Sequence, residues 1–193
     1  MSFRTSLISF GVMMAIGVSG YALSVNGWYP VAVVNWHVIS QYTLEQNLST
    51  AYVYYHNALA LSGGDPATLD TPAAAANLRR AVLDDAISEE LIRDELAREM
   101  SAGDLQTVAE KKVDQVLQDQ SQVSEGVEKL YGLTLDQFKA RVLLPQAYQE
   151  VLSGRMLLQG QDFNTWLAQA RKSAGVIILT PGFSWDGSGV TAK

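Results

Sequence analysis

Few side chains in this sequence could carry out nucleophilic or metal chemistry. The chain has no cysteine, and its two histidines, His37 and His56, lie nineteen residues apart. A metal centre needs several ligands at suitable spacings, and a catalytic nucleophile needs a partner base. Neither histidine has such partners at a recognisable spacing. The sequence therefore predicts structural or surface roles for both histidines, and no catalytic residue, metal site or cofactor.

Carboxylates are concentrated in residues 84–99, where a pair of them could serve as a general acid and a general base. Their spacing instead distributes them over a helix face that arginines interrupt, a pattern typical of a solvated surface. Glu89 and Arg93, and likewise Asp94 and Arg98, have the i,i+4 spacing that stabilises an exposed helix. The pattern favours an exposed charged face over an active site.

The overall charge argues against further classes of function. The 193 residues carry a formal net charge of −6, with an isoelectric point near 4.8. Nucleic-acid binding depends on clustered lysines and arginines, and the glycines of this chain fit no phosphate-binding motif. We therefore expect no nucleic-acid partner and no small-molecule substrate.

Aromatic side chains are concentrated in "AYVYYH", residues 51–56. Tyr52 and Tyr55 fit the apolar stripe of the predicted helix, whereas Tyr54 lies off it. Such residues either pack in the core or line an adaptable groove that binds other polypeptides. The same two alternatives apply to methionine and leucine side chains further along. The candidate polypeptide-binding residues are Tyr52, Tyr54, Tyr55, Met100, Tyr148, Met156 and Leu157.

The amino-terminal residues differ from the rest of the chain. Residues 6–25, "SLISFGVMMAIGVSGYALSV", contain no charged side chain, and about twenty apolar residues suffice to span a bilayer as a helix. Arg4 favours a cytoplasmic amino end, so a retained anchor within 1–29 would place the rest of the chain outside the cytoplasm. The alternative is a cleaved signal peptide ending near Ala22-Leu23-Ser24. Trp28 and Tyr29 then suit a membrane interface.

The remaining pattern predicts a mainly helical domain over residues 30–180. Caps and apolar periodicity indicate helices over about 40–62, 71–101, 105–119 and 124–130, one opened by the Thr134 capping box and kinked at Pro145, and one capped by Asp162. Two β-branched runs, "VAVVN" at 31–35 and "GVIIL" at 175–179, are expected to pair as a two-stranded sheet. Residues 181–193 are expected to form a flexible, loop-like tail.

The order of these segments resembles a known family. A strand leads through "HVIS" into a helix, followed by "LRRAVLDDAISEELIRDELA", by "LYGLTLDQFKARV" and by the closing "WLAQARKSAGVIIL". This order resembles the chaperone domain of SurA-family periplasmic chaperones and of the related PrsA-type foldases, over about residues 30–180. The resemblance implies that the last strand returns to pair with the first, and that the domain binds unfolded or newly exported polypeptides without ATP.

Two departures from the family pattern matter. The first strand of the family usually ends in Asn-Gly, whereas Asn35 is followed here by Trp36. Family members normally carry an inserted parvulin-type prolyl isomerase domain, but only seventeen residues separate Leu144 from Asp162. We therefore expect a membrane-anchored, extracytoplasmic chaperone without isomerase activity. The alternative is a structural adaptor that uses the same fold to bind one dedicated partner in a cell-envelope complex.

Overall fold

The computed structural model describes residues 27–117 and 120–193. The predicted anchor therefore lies outside the described residues, among which no helix is long and apolar enough to cross a membrane. The mainly helical architecture is confirmed. The elements in chain order are β1 (Pro30–Val34), β2 (His37–Ser40), α1 (Gln41–Leu61), a 3-10 turn (Pro66–Asp70), α2 (Pro72–Glu99), α3 (Ala102–Val116), α4 (Gln120–Tyr131), α5 (Leu135–Phe138), a π-helical turn (Lys139–Leu143), α6 (Leu144–Leu158), α7 (Phe163–Ser173), β3 (Val176–Ile178), β4 (Phe183–Trp185) and β5 (Val190–Ala192).

The helices begin at the polar caps that the sequence indicates. The Ser40 hydroxyl accepts the N–H of Thr43 at the start of α1, and Thr71 caps α2 just before Pro72. Thr134 and Gln137 form the predicted capping box. These side chains satisfy backbone N–H groups that have no partner within the helix, and each cap typically stabilises a helix by about 1 kcal/mol.

Pro145 disturbs the long helical stretch in the way that its chemistry requires. Proline has no N–H, and its ring crowds the carbonyl four residues earlier. The chain widens into the π-helical turn just before Pro145, where the Leu144 N–H donates to the Lys139 carbonyl. The interruption predicted at this proline therefore takes the form of a π turn, after which α6 continues unbroken to Leu158.

The predicted pairing of the two chain ends is confirmed, but the sheet has three strands rather than two. Strand β1 pairs antiparallel with β3, with Ala32 opposite Ile178 and Val34 opposite Val176. The residues "HVIS", expected to lead directly into a helix, instead form β2, which covers the other edge of β1. The third strand follows from the Asn35-Trp36 turn, whose φ angles of 47° and 77° match the two-residue turn of a β-hairpin.

The prediction of a flexible, loop-like tail over residues 181–193 is wrong. Residues of the carboxyl end form the β4–β5 hairpin, which buries Phe183 and Val190 in the same core as β1 and α2. Asp186 makes the turn, because its carboxylate accepts the backbone N–H groups of Ser188 and Gly189. The strands are only three residues long, so their alternation is too short to be recognised among the surrounding glycines and serines.

The expectation of a fully solvated acidic face on α2 is also wrong, because several of its carboxylates bind other elements. Asp84 accepts the Val190 N–H at 2.9 Å and Arg171 of α7 at 2.7 Å. Asp94 accepts the Asn35 side chain at 3.2 Å, and Glu99 accepts Arg155 of α6 at 2.6 Å. These carboxylates hold the hairpin, α7, the β1–β2 turn and α6 to one helix.

Two arginines of α2 form ion pairs with partners other than those predicted. Arg93 pairs with Glu90, and Arg98 pairs with Glu95, each at i,i+3. Of the expected i,i+4 acidic partners, Asp94 instead binds the Asn35 side chain and His37, and Glu89 lines a cleft without forming an ion pair with Arg93. Tertiary contacts therefore override the helix-local spacing from which those pairs were predicted.

Three buried clusters hold the elements together. The first joins the sheet, the C-terminal hairpin, α1 and α2, and the second lies among α3, α4 and α6. The third joins α2 to α6, with α7 packed against it. The largest fully buried side chains are Leu44, Leu83, Ile87, Leu96, Leu117, Leu152 and Met156. Helix α2 contributes to two of the three clusters, so it is the central element of the domain.

We predict that Asp84→Ala lowers the free energy of unfolding by about 2–4 kcal/mol, because it removes the anionic partner of the part-buried Arg171 and the acceptor of the Val190 N–H. The matched control is Glu150→Ala, which removes the exposed pair with Lys112 and should cost less than about 1 kcal/mol. Urea unfolding followed by circular dichroism measures both. Equal losses in the two variants would contradict the anchoring role of Asp84.

Candidate functional site

An open groove of about 790 Å³ lies between α1, the 3-10 turn, the start of α2 and the C-terminal hairpin. Its floor is apolar, and the side chains come from four separate segments. Leu48 and Tyr52 lie one helical turn apart on α1, so both point to the same side. The other apolar side chains of the lining are Leu69, Ala75, Ala76, Leu78, Pro181, Phe183 and Ala192.

Two polar pairs border this groove. The Tyr52 hydroxyl donates to Asp70 at 2.6 Å, and the hydrogen bond raises the pKa of Tyr52 above its usual 10. Arg79 of α2 donates to Glu45 of α1 at 2.7 Å. Each pair connects α1 to the segment opposite it, so together they fix the width of the groove. The arrangement combines an apolar floor with a polar rim, which suits an extended polypeptide with both kinds of group.

Tyr54 and Tyr55 do not line the groove. Tyr54 stacks on Tyr131 of α4 with ring centroids 4.9 Å apart. Tyr55 contacts the Tyr54 ring edge-on, with centroids 5.3 Å apart. These tyrosines border a separate cleft of about 200 Å³ between α1, α2 and α4, which Glu89 and Arg141 also line. The aromatic concentration of the sequence is therefore divided between two depressions, with Tyr52 in one and Tyr54 and Tyr55 in the other.

Glu89 is the most perturbed carboxyl group of this cleft. Its pKa is raised to about 7, mainly by burial; the Arg93 charge opposes this rise, and the nearby Asp85 and Glu90 add to it. Burial also raises the pKa of Asp85. A carboxyl group that keeps its proton up to neutral pH can donate a hydrogen bond, which an ordinary surface glutamate cannot. The cleft is therefore less negatively charged than its residues suggest.

The remaining candidate residues do not form one surface. Met156 is only 1% exposed and belongs to the cluster between α2 and α6, so it cannot contact another polypeptide in this conformation. Met100 packs partly buried on the same cluster, and Tyr148 lies half-buried beneath the Arg93 guanidinium. Leu157 is 76% exposed. Successive residues of a helix are rotated by about 100° around its axis, so Leu157 leaves the side of α6 that buries Met156.

Sequence reasoning missed most of the groove. Leu69 lies in a 3-10 turn too short to show periodicity, and Phe183 lies in the segment predicted as a loop. Ala75 and Ala76 look like unremarkable helix formers in the sequence. A detectable signal was the position of Leu78, one helical turn beyond Ala75 on the apolar side of α2.

The two histidines have defined neighbours. His37 Nδ1 lies 2.9 Å from an Asp94 carboxylate oxygen, at the start of β2. The His56 ring lies 5.9 Å from that of Tyr52. Within residues 27–117 and 120–193, no group of three or more potential ligands is placed to hold a metal ion.

We predict that Glu89→Gln reduces the pH dependence of stability. The folded-state pKa of about 7 lies above the ordinary 4.5, so the unfolded chain releases this proton first and stability falls as pH rises from about 4.5 through 7. Between pH 5 and pH 8 the wild type should lose about 2 kcal/mol more than the variant. Urea titrations at both pH values measure this difference.

The exposed Glu125 supplies the matched control. Glu125→Gln should leave the pH dependence of unfolding close to that of the wild type, because this side chain is exposed to solvent and unfolding changes its surroundings little. Some dependence should remain in Glu89→Gln, since burial also raises the pKa of Asp85. If Glu89→Gln and Glu125→Gln gave the same pH profile, the buried state of Glu89 would be refuted.

Comparison with known proteins identified no similar protein. No family model matches the chain, and neither the curated proteins nor the solved structures yield a match. The resemblance to SurA-family chaperones therefore rests on the sequence segments quoted above. The function that it implies is a proposal, to be argued from the groove and its residues.

Proposed function

We propose that this domain is an ATP-independent chaperone that holds apolar segments of unfolded or newly exported polypeptides in the groove between α1, α2 and the C-terminal hairpin. The observation that carries the proposal is the open groove of about 790 Å³ with its apolar floor. Unfolded chains expose apolar side chains that a folded protein would bury, and removing that surface from water is the main driving force for association.

The shape of the groove suits holding rather than tight recognition. Its volume lies in the range of ordinary binding clefts, but it is open along its length and is not an enclosed pocket. Contacts of Leu48, Leu78 and Phe183 with a bound segment would be non-directional, so many sequences fit. Such binding lowers the concentration of free unfolded chain by mass action and allows release without ATP.

The polar rim supports the same proposal. A polypeptide backbone carries N–H and C=O groups that must stay hydrogen-bonded as its side chains enter an apolar groove. Tyr52 with Asp70, and Arg79 with Glu45, supply donors and acceptors next to the floor. Tyr52 also offers an apolar ring below its hydroxyl, which lets it contact both kinds of group.

Membrane attachment is part of the proposal. The uncharged residues 6–25, with Arg4 before them, support a retained anchor that places the domain outside the cytoplasm. A tethered chaperone meets emerging chains at a higher effective concentration than a freely diffusing one. Cleavage near residues 22–24 is the alternative, and it would release the same domain into the extracytoplasmic space.

The proposed chaperone has no prolyl isomerase activity. The stretch from Leu144 to Asp162, where relatives carry the isomerase, consists here of α6 and a short turn. Refolding of a protein limited by proline isomerisation should keep its uncatalysed rate in the presence of this chain. A faster rate would refute this part of the proposal.

A structural adaptor remains the second candidate. Leu157 and Leu158 are 76% and 89% exposed at the end of α6, away from the groove, and two adjacent exposed leucines suit a fixed contact with one protein. An adaptor would co-purify with one partner in fixed stoichiometry. It would not suppress the aggregation of several unrelated unfolded proteins, whereas a chaperone would.

We predict that Ala76→Glu weakens suppression of aggregation by about tenfold or more in the concentration required. The new carboxylate would need desolvation when an apolar segment entered the groove, at a cost above about 1.4 kcal/mol. The measurement is light scattering of two unrelated aggregating proteins over a range of chain concentrations.

Ala73→Glu is the matched control, because Ala73 is an exposed alanine on the same helix but does not line the groove. Both substitutions add one negative charge and should change the unfolding free energy by less than about 0.5 kcal/mol. Equal activity of the two variants would exclude the groove as the binding site.

A further inference from the structure

The exposed aromatic side chains of the domain are unevenly distributed along the chain. In the part of the chain that the structure describes, five aromatic side chains are exposed, and four of them lie within residues 28–42. They are Trp28 at 64%, Tyr29 at 44%, Trp36 at 96% and Tyr42 at 51%. Trp28 and Tyr29 precede β1, Trp36 lies in the β1–β2 turn, and Tyr42 lies in the first turn of α1. The exposed aromatic side chains therefore flank the β1–β2 hairpin.

The outer face of the three-stranded sheet continues this surface. Val33 lies in the middle strand, opposite Val38 on one side and Ile177 on the other. Val38 and Ile177 are 58% and 60% exposed, whereas the neighbouring row, which includes Ala32 and Ile39, is buried in the core. The sheet therefore presents an apolar row to the outside, which we call the outer sheet face and define as Val33, Val38 and Ile177.

Trp36 stands at the end of this sheet in an unfavourable backbone conformation. Its φ of 77° lies in the left-handed region, which costs a residue with a side chain roughly 1–2 kcal/mol relative to the right-handed one. Glycine adopts this conformation without that penalty. At 96% exposure the indole makes almost no contact that could offset the cost within the domain. Packing of the fold therefore does not account for tryptophan at this position.

The surface is also uncharged. After Arg4, the next acidic or basic side chain in the sequence is Glu45, so residues 27–44 carry none except the titratable His37. The whole chain is acidic, with a net charge of −6. A neutral, apolar and aromatic area on an acidic domain does not fit a basic or acidic partner. It fits the interfacial region of a bilayer, where tryptophan and tyrosine are enriched.

The course of the chain brings lipid to the same region. The uncharged segment 6–25 ends just before Gly27, whose carbonyl accepts the Tyr42 N–H at 2.7 Å. The Tyr29 carbonyl accepts the Gln41 N–H at 2.9 Å. These bonds fix the entry of the chain at the start of β1. A bilayer that holds residues 6–25 would therefore lie within a few residues of the sheet.

We propose that the outer sheet face, together with Trp28 and Trp36, lies against the interfacial region of a lipid bilayer. This inference rests on the membrane attachment in the proposed function, and it adds an orientation: the sheet faces the lipid. Because the domain is acidic, the lipid it fits is zwitterionic rather than anionic. Burial of the apolar side chains, with the indole N–H groups at the headgroups, supplies the attraction.

The absence of cysteine from the sequence allows a direct test on the full chain. Val38→Cys and the control Val116→Cys place single thiols at two valines that are 58% and 62% exposed, the control at the end of α3. Each variant is labelled with an environment-sensitive fluorophore and reconstituted into phosphatidylcholine vesicles. The label at position 38 should show a blue-shifted emission and strong quenching by brominated lipid, whereas the label at 116 should show neither.

Two results would overturn the inference. Equal emission and equal quenching at positions 38 and 116 would show that the outer sheet face does not approach the lipid. Efficient crosslinking of position 38 between two chains would show that a second copy covers the face instead. Aggregation suppression measured on the same vesicles tests the chaperone proposal separately, because it can succeed or fail whatever the position of the label.

Trp36→Gly provides a second variant that does not risk unfolding. Glycine suits a φ of 77°, so the variant should keep the hairpin and melt at a temperature at least equal to that of the wild type. Removal of the indole should nevertheless reduce the lipid quenching of a label at position 38. Unchanged quenching would exclude Trp36 from the lipid contact.

Discussion

The fold depends on the antiparallel pairing of β1 with β3, which closes a chain of more than 140 residues on itself. Asn35 secures the end of this pairing twice. Its N–H donates to the Gly175 carbonyl at 3.0 Å, and its side-chain oxygen accepts the Gly175 N–H at 3.0 Å. Strand β1 is thereby hydrogen-bonded on both edges, and its Ala32 and Val34 can be fully buried. A lone edge strand in their place would leave backbone groups unpaired.

Helix α2 converts this local closure into a single domain. The Asn35 side chain that joins the strands also donates to Asp94 of α2, so the sheet and the helix share one residue. Ten residues earlier on α2, Asp84 binds both α7 and the C-terminal hairpin. The hairpin in turn forms one wall of the groove. A carboxylate of α2 thus helps to hold one wall of the groove in place. Charged side chains position a surface that is itself apolar.

The sequence predicted the features that depend on neighbouring residues, and it did not predict the features that depend on tertiary contacts. Ser40, Thr71, Thr134 and Asp162 marked helix starts, because a cap depends on residues within one turn. The role of Asp84 depends on Arg171 and Val190, which lie 87 and 106 positions further along the chain, and no local pattern reveals such contacts. The groove was missed for the same reason, since its lining converges from four segments. Only Tyr52 among the candidate residues was predicted and found there.

Trp36 and Glu89 show where this sequence departs from maximal stability. A tryptophan with a φ of 77° and a carboxyl group with its pKa raised to about 7 each make the folded state less stable than a glycine or a glutamine would. Neither residue fills the core, and each lies at a surface that the packing of the domain leaves open: the end of the sheet and the cleft beside Tyr54. Unfavourable local choices that the fold does not require are expected at functional surfaces. By this argument the sheet end and the cleft, along with the groove, are the places where we propose that the domain meets other molecules.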